Sequence, residues 1–158
     1  MRSRISVVDS NVLFSIELTD LFVTFAKRRL IQVRWSRTIL DEVRGSLLED
    51  GRLAPAAVEY RINAMQRALP DAMHFHSVDP TYHLQVAPSD RHVLTLAITS
   101  GADSIITLNT RDFPSDYCST VDVEILSPDE VLTEILNDDP LDVKAALQEI
   151  SQRRRMPL

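Results

Sequence analysis

The chain of 158 residues has a single cysteine, Cys118, and three glycines, Gly45, Gly51 and Gly101. One thiol excludes an internal disulfide and any cysteine-rich zinc site. Three scattered glycines exclude a G-x-G-x-x-G turn or a P-loop, and with them most nucleotide-cofactor enzymes. Aromatic residues make up only 6% of the chain, so an aromatic platform for stacking bases is not expected. No run of 18 or more apolar residues occurs, so no membrane span is expected. The N-terminal apolar run in MRSRISVVDSNVLFS is broken by Asp9, Ser10 and Asn11, and no signal peptide is read there. A reducing, cytoplasmic setting is the expectation. Cations are outnumbered too: 17 Lys and Arg against 23 Asp and Glu give a net charge of −6. Nucleic acid could then be held only through local basic patches or metal ions.

What remains is the composition of an ordinary globular domain, 44% hydrophobic and 25% charged, long enough to bury a core without a metal or a disulfide. Strand and helix signals alternate, which predicts an α/β domain with a mostly parallel central sheet. Strands are expected at Ile5–Val8, Leu30–Trp35, Ser104–Leu108 and Val121–Leu126, with a further one near His74–Val78. Helices are expected over Asn11–Lys27, from Ser36 to about Leu48, from Pro55 to about Leu69, and from Pro88 to Ser100 with Gly101 closing it. Ser127 and Glu130 have capping-box spacing for a helix to about Leu136, and a terminal helix follows Pro140.

The informative residues are acids placed where an open parallel sheet forms its crevice, at the carboxyl ends of strands. Asp9 ends the first strand; Asn109 and Asp112 follow the strand SIITL. Asp9 and Asp112 could equally serve as caps for the helices after them. In the second helix, about 100° per residue puts Ile39, Leu40, Val43 and Leu47 on one face. Glu42 lies at the shoulder of that face and Asp41 further towards solvent. Asp90 has Val93, Leu94 and Ala97 at i+3, i+4 and i+7, in line with the buried stripe and in the first turn, where the helix dipole favours negative charge. Converging carboxylates repel unless a cation lies among them or their pKa values rise. Hard oxygen ligands suit Mg2+ or Mn2+, ions that assist phosphodiester hydrolysis.

These pieces resemble a family. VVDSNVLFS (7–15), WSRTILDEV (35–43), PSDRHVLTLAITSGADSIITLNTRDFP (88–114) and VEILSPDEVL (123–132) are similar, in order and spacing, to the PIN domain, and within it to VapC-type toxin ribonucleases of toxin–antitoxin pairs. The resemblance implies a three-layer α/β/α fold and a nuclease domain over 1–136, with a helical extension over 137–158 packed on it. It implies an acidic quartet at Asp9, Glu42, Asp90 and Asp112, serving as metal ligands and catalytic residues, with Asn11, Thr107 and Asn109 as polar helpers. It further implies Mg2+- or Mn2+-dependent cleavage of RNA, a cognate antitoxin that blocks the acidic pocket, and a homodimer. Many PIN domains have an acid where this chain has Asn109, so Asp112 stands in as the fourth ligand.

Two rivals are weighed. A PIN fold without catalysis, acting as a scaffold, is kept open by Asn109. A phosphatase of the haloacid-dehalogenase type wants a second aspartate two residues after the first, and that place is Asn11. His74 and His76 are read as an exposed pair on a strand, His92 as a surface residue on the helix face away from Asp90, and Cys118 as filler in a loop. The basic clusters Lys27-Arg28-Arg29, Arg34 with Arg37, and Arg153-Arg154-Arg155 are read as solvated ends that are also the candidates for RNA contact.

Overall fold

A computed structural model describes residues 4–75 and 84–155. Its centre is a four-stranded sheet, β1 (Ile5–Val8), β2 (Gln32–Arg34), β3 (Ser104–Ile106) and β4 (Glu124–Leu126), in the order β2-β1-β3-β4. Every pairing is parallel, with Val7 opposite Arg34 on one side and Ile105 on the other. All four residues of β1 are buried, which is why ISVV is an unbroken apolar and small-residue run rather than an alternation. The Ser6 and Ser104 hydroxyls satisfy each other at 2.7 Å where β1 meets β3.

Helices cover the sheet. The chain steps one way from β1 to β2 and the other way from β2 to β3, so right-handed crossovers put their helices on opposite faces. Accordingly α2 (Ile16–Lys27) lies against β2, and α5 (Arg91–Thr99) lies against β1 and β3. This is the expected α/β fold with a parallel sheet. Trp35, Phe22, Phe25 and Phe113 are the bulkiest fully buried side chains, so four of the few aromatics went to the core, while Tyr60 and Phe75 are exposed.

The expected helix over Asn11–Lys27 is two. A four-residue α1 (Ser10–Leu13) ends at Phe14, and Ser15 turns extended and caps α2 by accepting from the Leu18 amide at 3.2 Å. The break leaves carbonyls without intrahelical donors. Arg61, on α4 (Pro55–Ala68), supplies a donor: its Nη2 reaches the carbonyls of Leu13 (2.5 Å) and Phe14 (3.0 Å). Ser36 caps α3 (Arg37–Asp50) by accepting from the Ile39 amide at 3.1 Å.

Three more differences concern element ends. The chain beside β2 forms a single bridge, Trp35 to Met73; of the strand expected near His74–Val78, residues 76–78 lie outside the described residues. Cys118 is not in a loop but fully buried in α6 (Ser115–Thr120). The strand expected from Val121 begins at Glu124, because Asp122 takes a left-handed turn at φ 59°.

The expected capping box starts α7 (Pro128–Asp138): Ser127 accepts from the Glu130 amide while Glu130 reaches back to the Ser127 backbone. Then α8 (Pro140–Arg155) packs against α7 and α2, burying Val143 and Ala146. Arg28–Glu149 (3.2 Å) and Arg154–Asp20 (3.2 Å) pair across the α2–α8 contact.

Candidate active site

Asp9 leaves β1 as the N-cap of α1, so both readings of it hold together: it is a cap, and it stands at the carboxyl end of a central strand. Its Oδ1 accepts from the Ser10 amide at 2.8 Å and its Oδ2 from the Thr107 hydroxyl at 2.9 Å. Thr107 itself is completely buried just past β3, and Asp9 is 8% exposed. Asn11 completes a polar lattice between the two strand ends. Its Nδ2 donates to Thr107 Oγ1 (3.2 Å) and Asp9 Oδ2 (3.4 Å), while its Oδ1 accepts from the Leu108 amide (3.1 Å). The Asn109 amide donates to Thr107 Oγ1 at 3.1 Å. The three polar helpers read from the sequence are therefore gathered around Asp9, Asn109 through its backbone.

The other acids face the same place. Burial pushes the Asp9 carboxyl above the ordinary carboxylate range, against the hydrogen bonds from Thr107 and Ser10, and Glu42 raises it further. Burial also raises Asp90, and the charges of Asp112, Asp9 and Glu42 add to the rise. Asp90 thus feels all three other members of the quartet. It sits at the end of a 3-10 turn, Pro88–Asp90, as the N-cap residue of α5. Asp112 closes a second 3-10 turn, Thr110–Asp112, and is exposed. On α3, Asp41 turns outward to pair with Arg44, while Glu42 points the other way, as the helix phase predicts.

One participant was misplaced by the sequence reading. His92 is not a surface residue remote from the acids: its Nε2 stands 2.9 Å from Glu42 Oε1, with the imidazole side chain 14% exposed. Its charge would also act on Asp9 and Asp90, lowering both pKa values. The signal that could have found it is its place in the first turn of α5, two residues after Asp90. Of the other histidine pair, His74 is partly buried outside any strand and His76 lies outside the described residues.

Among the described residues, no three acidic, histidine or cysteine side chains already stand close enough to enclose one ion. The donor set nonetheless suits a hard cation. Glu42 Oε1 is a buried carboxylate oxygen with the His92 Nε2 at 2.9 Å, the kind of hard donor such an ion takes.

A family model described as the PIN domain matches residues 6–111. The chain belongs to the PIN domain family. PIN domains are generally nucleases and typically depend on divalent metal ions. The matched span takes in Asp9, Asn11, Glu42, Asp90, Thr107 and Asn109 and stops one residue short of Asp112. Comparison with curated proteins and with solved structures returned no match. Among the described residues of this PIN domain, no helix is long and apolar enough to cross a membrane.

Proposed function

We propose that this PIN domain is a metal-dependent endoribonuclease of the VapC type, the toxin of a toxin–antitoxin pair. The observation that carries the reading is the placement of Asp9 at the carboxyl end of β1, held by Thr107 just past β3 at 2.9 Å, with Glu42 of α3 beside His92 of α5 at 2.9 Å. In this reading Asp9, Glu42, Asp90 and Asp112 hold Mg2+ or Mn2+. When bound, such an ion supplies Lewis acidity at a phosphoryl oxygen and eases deprotonation of an attacking water. The protein's share is placement. Thr107 and the Ser10 amide each fix one oxygen of Asp9, so the carboxylate presents its free lone pairs towards the other acids without losing rotamer freedom on loading. Asn11 ties β1 to the Thr107–Asn109 turn and so keeps Asp9 and Thr107 in register.

The partners follow from the same chemistry. RNA is the substrate. An acidic pocket of this kind accepts a basic side chain as well as a metal ion, which suits blockade by an antitoxin, and a homodimer is the assembly we assign to the free protein.

The test is cleavage of a mixed cellular RNA pool by wild type and Asp9→Asn, each with Mg2+, with Mn2+ and with chelator. Wild type is expected to cut only with metal, and Asp9→Asn to fall to background while keeping its fold by circular dichroism. Cleavage that persists in Asp9→Asn, or in chelator, would overturn the assignment.

A further inference from the structure

An acidic protein with an acidic centre must draw its affinity for a polyanion from cations elsewhere. The structure divides the three basic clusters of the sequence sharply. In the terminal cluster Arg154 pairs with Asp20 and Arg153 donates to the Thr24 hydroxyl at 2.8 Å. Arg28 pairs with Glu149. By contrast Lys27, Arg29 and Arg34 come together along the outer edge of β2, where they line a pocket of about 520 Å3. The apolar side chains of Ile31, Val33 and Leu69 contribute to it, and among the described residues Asp71 is its only carboxylate. Among the described residues none of these three cations is in an ion pair, and Arg34 Nε is buried with no hydrogen-bond acceptor.

Two further observations concern where these cations are held. Arg29 adopts a left-handed backbone, φ 62°, where it closes α2: its amide bonds the Ala26 carbonyl and the next amide bonds that of Phe25. Glycine is the residue this position favours, and an arginine held there presents its charge at the pocket. The strand register supplies the other. Arg34 is opposite Val7, two residues before Asp9 on the neighbouring strand. With strands about 4.8 Å apart and a rise of about 3.3 Å per residue, the Arg34 and Asp9 backbones are about 8 Å apart. From there the pocket runs back along the sheet edge, away from the acids.

We propose that Lys27, Arg29 and Arg34 form a binding site for the backbone phosphates of single-stranded RNA next to the scissile bond. The inference rests on the ribonuclease reading for the identity of the anion. RNA crossing the acidic centre continues down the β2 edge, and the three cations hold the flanking phosphates. The apolar part of the pocket offers a surface for an unstacked base.

The experiment measures binding rather than cleavage. A short mixed-sequence single-stranded RNA carrying a fluorophore is titrated, by anisotropy and at several salt concentrations, into Asp9→Asn and into the same protein with Lys27→Gln, Arg29→Gln and Arg34→Gln. Arg29→Gln alone, at an exposed position, serves as a second variant should the triple one unfold. The expected result is an affinity loss of about tenfold or more, and a salt dependence shallower by about 2 logarithmic units per decade for three lost phosphate contacts. Lys144→Gln, on α8, is expected to change neither. Equal affinity and slope in parent and pocket variants would overturn the proposal. So would pocket-dependent binding of poly-glutamate without binding of RNA, which would make the pocket a protein-docking site. Failure of the ribonuclease reading is seen separately: RNA would bind through the pocket, yet wild type would cut nothing with either metal.

Discussion

Thr107 holds more of the site together than its single hydroxyl suggests. It donates to Asp9 and accepts from Asn11 and from the Asn109 amide, and its own side chain is fully buried. Thr107→Val keeps the shape and removes every one of these bonds. Leaving buried donors without acceptors is expected to cost about 1–3 kcal/mol, read by thermal or denaturant unfolding. Cleavage is expected to fall about 10- to 100-fold, the usual effect of losing a group that orients a metal ligand. Single residues were legible in the sequence wherever a regular helix carried the phase. Glu42 and Asp41 are neighbours in α3, and 100° of rotation told them apart. His92 was misread for the opposite reason. Asp90 belongs to a 3-10 turn and α5 starts only at Arg91, so helical phase does not run from one to the other.

At the scale of elements, the site depends on ends rather than middles. Asp9, Asp90 and Thr107 are each set by where a strand stops or a helix starts, and Glu42 by the phase of α3 counted from its cap. Ser36 is the cap of the helix carrying Glu42, itself buried. Ser36→Ala is expected to cost about 1 kcal/mol and to weaken metal binding with it, because the first turns of α3 position Glu42; calorimetric titration with Mn2+ would show the second effect. Arg29→Gly is expected to do the reverse for stability, raising it by up to about 1 kcal/mol by relieving the left-handed backbone, while RNA binding declines. The long elements, all four strands and the capping box of α7 were readable from pattern and punctuation. The division of α1 from α2 was not, because the apolar spacing of NVLFSIELTDLF runs straight through Ser15. Six-residue α6 is too short to show a period, and Pro114 and Asp116 read as loop.

For the molecule as a whole, the gathered acids set how stability responds to pH and to ions. Asp9 and Asp90 have folded pKa values raised above those of the unfolded chain, chiefly by burial, with the charge of Glu42 adding at Asp9 and those of Asp112, Asp9 and Glu42 at Asp90. The folded state therefore holds its protons more tightly. These two groups weaken the metal-free fold at neutral pH, and their penalty disappears as pH falls through the raised values towards the ordinary range near 3.8. Metal-free wild type is expected to melt higher at mildly acidic pH than at pH 7, and Asp9→Asn to lose much of that dependence. A divalent ion acts in the same direction at neutral pH. At about 100 times its dissociation constant it adds about 2.7 kcal/mol, or about 5–10 °C in melting temperature for a domain of this size. Differential scanning calorimetry with and without Mn2+ checks both.

The bond between Thr107 and Asp9 spans 98 residues of chain. In folding, β1 can meet β2 across the single crossover that carries α1 and α2, but β1 meets β3 only after most of the polypeptide has been brought round, an entropically slower closure. A partly collapsed chain holding only its first two strands has Asp9 without the hydroxyl that aims it and without Asp90 or Asp112. Competence at this centre is therefore all-or-none. It arrives with the long-range pairing of β1 and β3, and a chain that lacks that pairing is expected to show no metal-dependent cleavage.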